Sequence, residues 1–185
     1  MITEDTIKRA KPILFNTEMV RAIMDNRKTQ TRRVAAGTPK YAVGDILYVR
    51  ETWCFMSCID CLAEDHCEPI VYEDTDSISS GCFLYRASTP TDALTWRPSI
   101  HMPKCAARIF LQVTDVRTER LQDIKPLECV QEGADADALA LIGEDFVRGM
   151  FSSIWDSTVK KEQLGAVGWA ANPMVDVYTF KVLRK

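Results

Sequence analysis

The chain has 185 residues, of which 46% are hydrophobic and 26% charged, and its formal net charge is −3. This length suits one globular domain with its own core, and the composition excludes a disordered chain. The sequence contains neither an apolar run long enough to span a bilayer nor a signal peptide, so we expect a cytoplasmic protein whose seven cysteines are mostly reduced.

Acidic residues are concentrated in one segment of the chain. Between Cys54 and Ile100 there are eight acidic and two basic residues, a net charge of −6, whereas the remaining 21 bases and 18 acids give +3. The local field matters more than the total charge when a polyanion binds. The negative total therefore does not exclude an RNA partner, although it argues against a large nonspecific DNA-binding surface.

The first predicted elements are a strand and a helix that lead into a basic segment. Residues 11–15 form a short apolar strand with proline near its start, where the missing amide donor is tolerated. The apolar spacing of residues 19–24 predicts an amphipathic helix, which Asn26 ends because asparagine accepts the left-handed conformation. The basic segment, residues 26–33, therefore lies at a helix-to-strand junction.

The basic segment combines cations with hydroxyl groups in a spacing that indicates a site. Four of its eight residues are cationic, and Lys28 precedes Thr31 by three positions. In an extended segment Thr29 and Thr31 point to one face, while Lys28, Gln30 and Arg32 share the other. A run of cations alone is usually a solvated loop, so the spacing of the threonines carries the prediction.

The central part of the chain contains a predicted strand followed by an irregular insertion. Residues 46–53 are rich in β-branched and aromatic side chains and predict a strand. Residues 54–100 are acidic and cysteine-rich with turn clusters, and we interpret them as an insertion that includes a hairpin around residues 82–86.

A cluster of cysteines at the start of the insertion leaves two interpretations open. Cys58 and Cys61 form a Cys-x-x-Cys pair, and with Cys54 and Cys67 they supply the four soft ligands of a structural zinc site. A second Cys-x-x-Cys pair is missing, which favours free thiols and no cofactor. A bound zinc would be structural, since four protein ligands leave no open position.

The remaining elements complete an α+β pattern. Residues 107–116 and 175–183 predict long strands, and helices lie between them, the first running from Pro126 to Glu132 and ending at Gly133. The order of strands and helices predicts an α+β domain on a mostly antiparallel sheet.

Two stretches resemble the ASCH domain family of the PUA-like superfamily. They are Arg27-Lys28-Thr29-Gln30-Thr31-Arg32-Arg33 and Gly44-Asp45-Ile46-Leu47-Tyr48-Val49-Arg50-Glu51. Residues 96–103 and 121–124 are similar to the phage and prophage branch of that family. The likeness covers residues 11–53 and 96–183, nearly all of the chain outside the insertion.

The resemblance implies a fold, a partner and a location. It implies one ASCH-like domain over residues 1–185, a mostly antiparallel β-barrel with flanking helices, interrupted by the insertion at residues 54–100. It also implies an RNA or nucleotide ligand in a basic groove, and the cytoplasm of a host cell if the protein derives from a phage. Groove contacts are then expected from five residues: Arg27, Arg32, Arg33, Arg50 and Glu51.

One branch of the family hydrolyses acetylated cytidine, and its motif implies three catalytic residues. Carried over by position, they are Lys28 as base, Thr31 as nucleophile and Glu132 as an assisting carboxylate. A threonine hydroxyl needs a base, and a lysine serves as one only when burial or neighbouring cations lower its pKa to roughly 7–8.

Three functions therefore stand side by side. An RNA- or nucleotide-binding protein comes first, an amidohydrolase that deacetylates an acylated cytidine is the second, and a phage accessory protein that binds a protein partner through its acidic insertion is the third. A fold does not decide among them, because function depends on the site.

Overall fold

A computed structural model describes residues 3–57, 70–74, 77–89 and 91–183, with side chains omitted for residues 70–74 and 77–79. In the described part, the helices are α1 Glu4–Arg9, α2 Thr17–Met24, α3 Pro126–Gln131, α4 Ala136–Leu141, α5 Glu144–Thr158 and α6 Leu164–Val167. The strands are β1 Lys11–Leu14, β2 Gln30–Val34, β3 Ile46–Arg50, β4 Trp53–Ser57, β5 Ile70–Asp74, β6 Ser77–Tyr85, β7 Phe110–Arg120 and β8 Met174–Leu183. Short 3-10 helices cover Ser99–His101, Lys104–Ala106, Leu121–Asp123, Lys161–Gln163 and Trp169–Ala171.

The chain divides into two compact units. The first contains residues 1–11, 22–48 and 109–185, and the second contains residues 12–21 and 49–108. The second unit thus includes the whole predicted insertion together with residues on either side of it. The prediction of one domain with an insertion at residues 54–100 stays a prediction.

The main sheet has five strands in the order β1-β3-β7-β8-β2. Strands β7 and β8 are its longest pair, antiparallel from Phe110 opposite Leu183 to Arg120 opposite Met174, with an irregularity between Val113 and Asp115. Strand β2 pairs antiparallel with β8, so it lies at one edge of the sheet.

Helices α3 to α5 bury an apolar cluster against the strands of the first unit. Phe151 and Trp155 of α5 pack with Val175 and Val177 of β8 and with Leu121. Phe151 and Val177 are almost fully buried, which is the arrangement that an amphipathic helix adopts over a sheet. This packing places α3 beside β2, which contains the second half of the basic segment.

The second unit contains a three-stranded antiparallel sheet in the order β4-β6-β5. Strand β6 pairs with both neighbours, which extends the hairpin predicted around residues 82–86. Phe83 of β6 packs against Trp53 and Phe55 of β4, with ring centroids 5.6 and 5.3 Å apart.

The α+β class is confirmed, and the described strands differ from the prediction in two respects. They form two open sheets, not the closed barrel that the resemblance implies, because β1 and β2 are edges of the five-stranded sheet. The strand predicted over residues 46–53 ends at Arg50, and a new strand begins at Trp53 in a different sheet. A continuous apolar pattern does not reveal where a chain changes its pairing partner.

Candidate functional site

The basic segment leaves α2 through a left-handed residue. Asn26 has a φ of 58°, as its side chain permits, and the amides of Arg27 and Lys28 both donate to the carbonyl of Ala22, at 2.8 and 2.9 Å. The amide of Thr29 then donates to the carbonyl of Gln131, at 2.8 Å. These bonds fix Lys28 between the ends of α2 and α3.

Lys28 and Glu132 form a buried ion pair. The Lys28 Nζ donates to Glu132 Oε2 at 2.7 Å and to the Glu132 backbone carbonyl at 2.8 Å. Lys28 is fully buried and Glu132 is 5% exposed. Glu132 follows the last turn of α3, and Gly133 has a φ of 107°, which lets the chain turn away immediately.

Burial lowers the pKa of the Lys28 ammonium below its ordinary value of 10.5. The Glu132 carboxylate opposes this by attraction and by its hydrogen bond, whereas the positive charges of Arg33 and Arg32 lower the pKa further. Desolvation favours the neutral amine, so Lys28 loses its proton more readily than an exposed lysine. The catalytic prediction required neighbouring cations that lower the pKa of Lys28, and Arg32 and Arg33 are such neighbours.

The side chain of Arg32, which alternation predicts on the same face as Lys28, is enclosed by carboxylates. Its Nη1 donates to Glu132 Oε1 at 3.1 Å, and its Nη2 donates to Glu119 Oε1 at 2.7 Å and Glu128 Oε2 at 2.9 Å. The side chain of Arg32 is fully buried. A guanidinium that three carboxylates neutralise does not face solvent. The predicted groove contact between Arg32 and a ligand requires a solvent-facing guanidinium, and this conformation does not provide one.

The Thr31 hydroxyl is buried and has no hydrogen-bond partner in the described structure. Thr31 is 1% exposed, and its Oγ1 is hydrogen-bonded neither to Lys28 nor to Glu132. An unsatisfied buried hydroxyl costs about 1–3 kcal/mol, so such groups are uncommon in folded proteins. The nucleophile–base contact of the predicted mechanism is therefore not formed in this conformation.

The other two arginines of the basic segment differ in exposure. Arg27 is exposed and forms an ion pair with Asp25 at 3.0 Å. Arg33 is half-buried and donates from Nη1 to the Arg32 carbonyl at 3.1 Å. Arg27 is thus the solvent-facing cation of the segment.

A cleft in the first unit lies beside the buried pair. Its volume is about 390 Å³, within the range of small-molecule sites. Its wall includes Met24, Asn26, Lys28, Thr29, Phe180 and Lys181. Because the Lys28 side chain has no exposed surface, its amine lies behind the wall and not in the opening.

Arg50 and Glu51 belong to the second unit and do not form a pair with each other. Arg50 donates from Nη2 to the carbonyl of Ile100. Glu51, 1% exposed, accepts from Arg108 through both oxygens, Nε to Oε1 at 2.8 Å and Nη2 to Oε2 at 2.9 Å. Successive residues of an extended chain point to opposite sides, which is why neighbours in sequence take different partners.

Three residues of the buried network were missed by sequence reasoning. Glu119 and Glu128 bind Arg32, and Arg117 holds both of them, from Nε to Glu119 Oε2 at 2.9 Å and from Nη2 to Glu128 Oε1 at 2.6 Å. Alternation along β7 places Arg117 and Glu119 on one face, which was a usable signal. No pattern along the chain indicated that this face meets Arg32.

The zinc prediction falls largely outside the described residues. Cys58, Cys61 and Cys67 are not among them, and Cys54 is buried, where desolvation raises the pKa of its thiol. Within the ranges that are described, no group of three or more histidine, cysteine, aspartate or glutamate side chains is arranged to hold a metal ion. Structural zinc remains a prediction, which metal analysis of protein purified without chelator tests.

The length and apolarity of the helices bear on whether one of them could cross a membrane. Among the residues the structure describes, no helix combines the length and the apolarity needed to cross a bilayer.

Comparison with known proteins gives one distant likeness. No protein-family model matches the chain, and no curated protein matches it in sequence. Among solved structures, the chain is similar to an ASCH domain from Lactobacillus crispatus JV V101, with 11% identity and a TM-score of 0.44 over 98% of this chain and 86% of that chain. This score is too low to establish a shared fold.

Proposed function

We propose that the protein is an amidohydrolase that removes an acyl group from the exocyclic amide of an acylated cytidine. The observation that supports it best is the buried Lys28–Glu132 pair, in which burial lowers the pKa of a lysine three residues before an unpartnered threonine hydroxyl. The substrate class comes from the motif resemblance, and the chemistry comes from these side chains.

The proposed reaction proceeds in two acyl transfers. The neutral Lys28 amine accepts the proton of the Thr31 hydroxyl as its Oγ1 attacks the acyl carbonyl. The C–N bond then breaks, and the Lys28 ammonium returns the proton to the departing exocyclic nitrogen. Water attacks the resulting threonine ester with Lys28 again as base, which releases the carboxylic acid and restores the hydroxyl. Glu132 orients Lys28 throughout.

Substrate access requires a local rearrangement. Lys28 and Thr31 are both buried, and of the two only Lys28 lines the 390 Å³ cleft. We propose that the acylated base enters this cleft and that Lys28 turns towards Thr31 when the substrate displaces the wall. Catalytic hydrogen bonds that form only in the substrate complex are common.

Incubation with N4-acetylcytidine tests the proposal directly. Wild type should release acetate and cytidine, and Lys28→Ala and Thr31→Ala should each lower kcat by about 100-fold or more. Lys160→Ala and Thr158→Ala are matched controls, because these residues are exposed at the end of α5 and should leave the rate unchanged. Absence of deacetylation by wild type at every pH tested would contradict the proposal for this substrate.

A second candidate function is the binding of RNA or a nucleotide without chemistry. Two exposed cations favour it. Lys181 is part of the cleft wall, and Arg27 lies between the wall residues Asn26 and Lys28 in the sequence. Phosphate binding should weaken steeply as salt increases, and Arg27→Ala and Lys181→Ala should each reduce that slope. Tight binding of acetylcytidine with no turnover would favour this function over the first.

The third function, binding of a protein partner through the acidic insertion, stays a prediction. Most of the acidic residues of that segment lie outside the described side chains. An association with a protein that is lost when residues 58–69 are replaced would support it.

A further inference from the structure

We infer that Arg32 is a positioning residue that holds the Glu132 carboxylate, so that one of its oxygens faces Lys28. This inference rests on the proposed role of Lys28 as a base. Arg32 itself touches neither the cleft nor the Thr31 hydroxyl, so it acts through Glu132.

The two oxygens of Glu132 are divided between two cations. Oε1 accepts from Arg32 Nη1 at 3.1 Å, and Oε2 accepts from Lys28 Nζ at 2.7 Å. A carboxylate bound at one oxygen only is free to turn about its last side-chain torsion, which is broad. The bond from Arg32 removes that freedom and leaves Oε2 in line with the ammonium.

Arg32 is itself held in place from the opposite side. Its Nη2 is bound by Glu119 and Glu128, and the second oxygen of each of these carboxylates accepts from Arg117. The guanidinium therefore connects α3 and β7 to the middle of β2. A planar fork with fixed donors suits this task, which the single ammonium of a lysine does not perform equally well.

The balance of charge argues against a phosphate ligand for Arg32. Lys28, Arg32 and Arg117 supply three positive charges, and their carboxylate partners Asp115, Glu119, Glu128 and Glu132 supply four negative ones. The cluster has no net positive charge to attract a polyanion, and the Arg32 side chain has no exposed surface. Arg32 therefore acts on neighbouring side chains of the protein and not on a bound phosphate.

The charged groups that face Lys28 define what removal of Arg32 does. Glu132 at the end of α3 raises the pKa of Lys28, whereas Arg33 and Arg32 of β2 lower it; Glu119, Glu128 and Arg117 act on Arg32. Replacing Arg32 by glutamine removes a positive charge, which raises the pKa of Lys28, but it also frees the Glu132 carboxylate to turn away, which lowers that pKa. Replacing Arg32 by lysine keeps the charge and removes only the fork, so the pKa of Lys28 should fall in Arg32→Lys.

The test combines a direct titration with the rate profile. The Lys28 amine is followed by NMR in protein labelled with ¹³C-lysine, and its signal is assigned by its absence from Lys28→Met. In Arg32→Lys we expect the Lys28 titration and the rising limb of kcat against pH to move down together, on the order of one pH unit, with KM little changed. A merely structural role would lower the yield of folded protein without moving either curve.

The controls separate position from charge. Arg32→Gln loses the charge as well as the fork, so its Lys28 titration should lie above that of Arg32→Lys; if Arg32→Lys does not fold, Arg32→Gln decides the test, because loss of charge alone would leave the maximal kcat unchanged. Arg117→Gln, a loss of charge one contact farther from Glu132, should leave the Lys28 titration in place. A Lys28 titration that is unchanged or raised in folded Arg32→Lys would overturn the inference.

The proposed function and this inference fail in different ways. If wild type deacetylates nothing, the NMR titration still shows whether Arg32 controls Lys28 through Glu132. If wild type is active and neither curve moves, the function stands and the positioning role of Arg32 is wrong.

Discussion

Glu51 in the second unit and Glu132 in the first are both nearly fully buried carboxylates, yet their surroundings differ. Glu51 gives both oxygens to the fork of Arg108, and that guanidinium lies 4.0 Å from the centre of the Tyr85 ring. Glu132 gives one oxygen to Arg32 and the other to Lys28. Glu51 and Arg108 thus form a closed pair, in which both carboxylate oxygens bind one cation, whereas Glu132 is a shared carboxylate that binds two cations.

The difference shows which buried charge can do chemistry. An arginine keeps its proton at every physiological pH, so a guanidinium such as that of Arg108 does not serve as a base. Burial lowers the pKa of Lys28 while Glu132 opposes the shift, so Lys28 loses its proton more readily than an exposed lysine. A buried ion pair is weak evidence for function, but a titratable member three residues from an unpartnered hydroxyl is stronger evidence.

The largest expected effect is the change in kcat when the shared carboxylate, Glu132, is altered. Glu132→Gln removes the negative charge that raises the pKa of Lys28, so the pKa should fall further and the rising limb of the kcat profile should move to lower pH. Loss of the orienting oxygen should lower the maximal kcat on the order of 100-fold, as measured with acetylcytidine. A rise of the limb to higher pH would show that the sign of the Glu132 effect is wrong.

The closed pair should affect stability instead. Glu51→Gln leaves the Arg108 guanidinium without its carboxylate, and the free energy of unfolding in urea should fall by about 3 kcal/mol. The Lys28 titration should be unchanged. A loss below about 1 kcal/mol, the range of exposed ion pairs, would mean that solvent compensates Arg108.

Acid should act on the network around Arg32 through Glu119. Burial raises the pKa of this carboxyl, but the hydrogen bonds and charges of Arg32 and Arg117 outweigh it, so the pKa lies below the ordinary 4.5. A lowered carboxyl pKa adds stability above the unfolded value, and this stability is lost as the pH falls through the folded value. Urea unfolding from pH 6 downward should show a shallower loss for Glu119→Gln than for wild type, and parallel curves would contradict this.

The smallest effect concerns the turn that places Glu132. Gly133 has a φ of 107°, so Gly133→Ala should cost about 1 kcal/mol of unfolding free energy by backbone strain, with the added Cβ 3.4 Å from the Cβ of Ala22. Gly149 in α5 is the matched control, because the space around it is open and Gly149→Ala should stabilise the helix by roughly 0.5–1 kcal/mol. Changes of the same sign in both variants would contradict the strain argument.

Local pattern predicted the elements and part of the site. Periodicity located α2, β7 and β8, and glycine and proline located the ends of α3. Alternation along the basic segment separated Arg32 from Thr31, which the pairing of β2 with β8 bears out. The pairing of Lys28 with Glu132 came from a family resemblance, since no spacing along the chain connects residues that lie 104 positions apart.

By itself the sequence determined an α+β chain, with a lysine and a threonine three positions apart at the junction of a helix and a strand. Only the tertiary structure decided that Arg32 is enclosed by carboxylates while Arg27 faces solvent. Both are arginines in the same short run, and their charges look alike in sequence. The difference arises because β7 and α3 bring Glu119, Glu128 and Glu132 to one face of β2, and the burial of a charge depends on those distant partners.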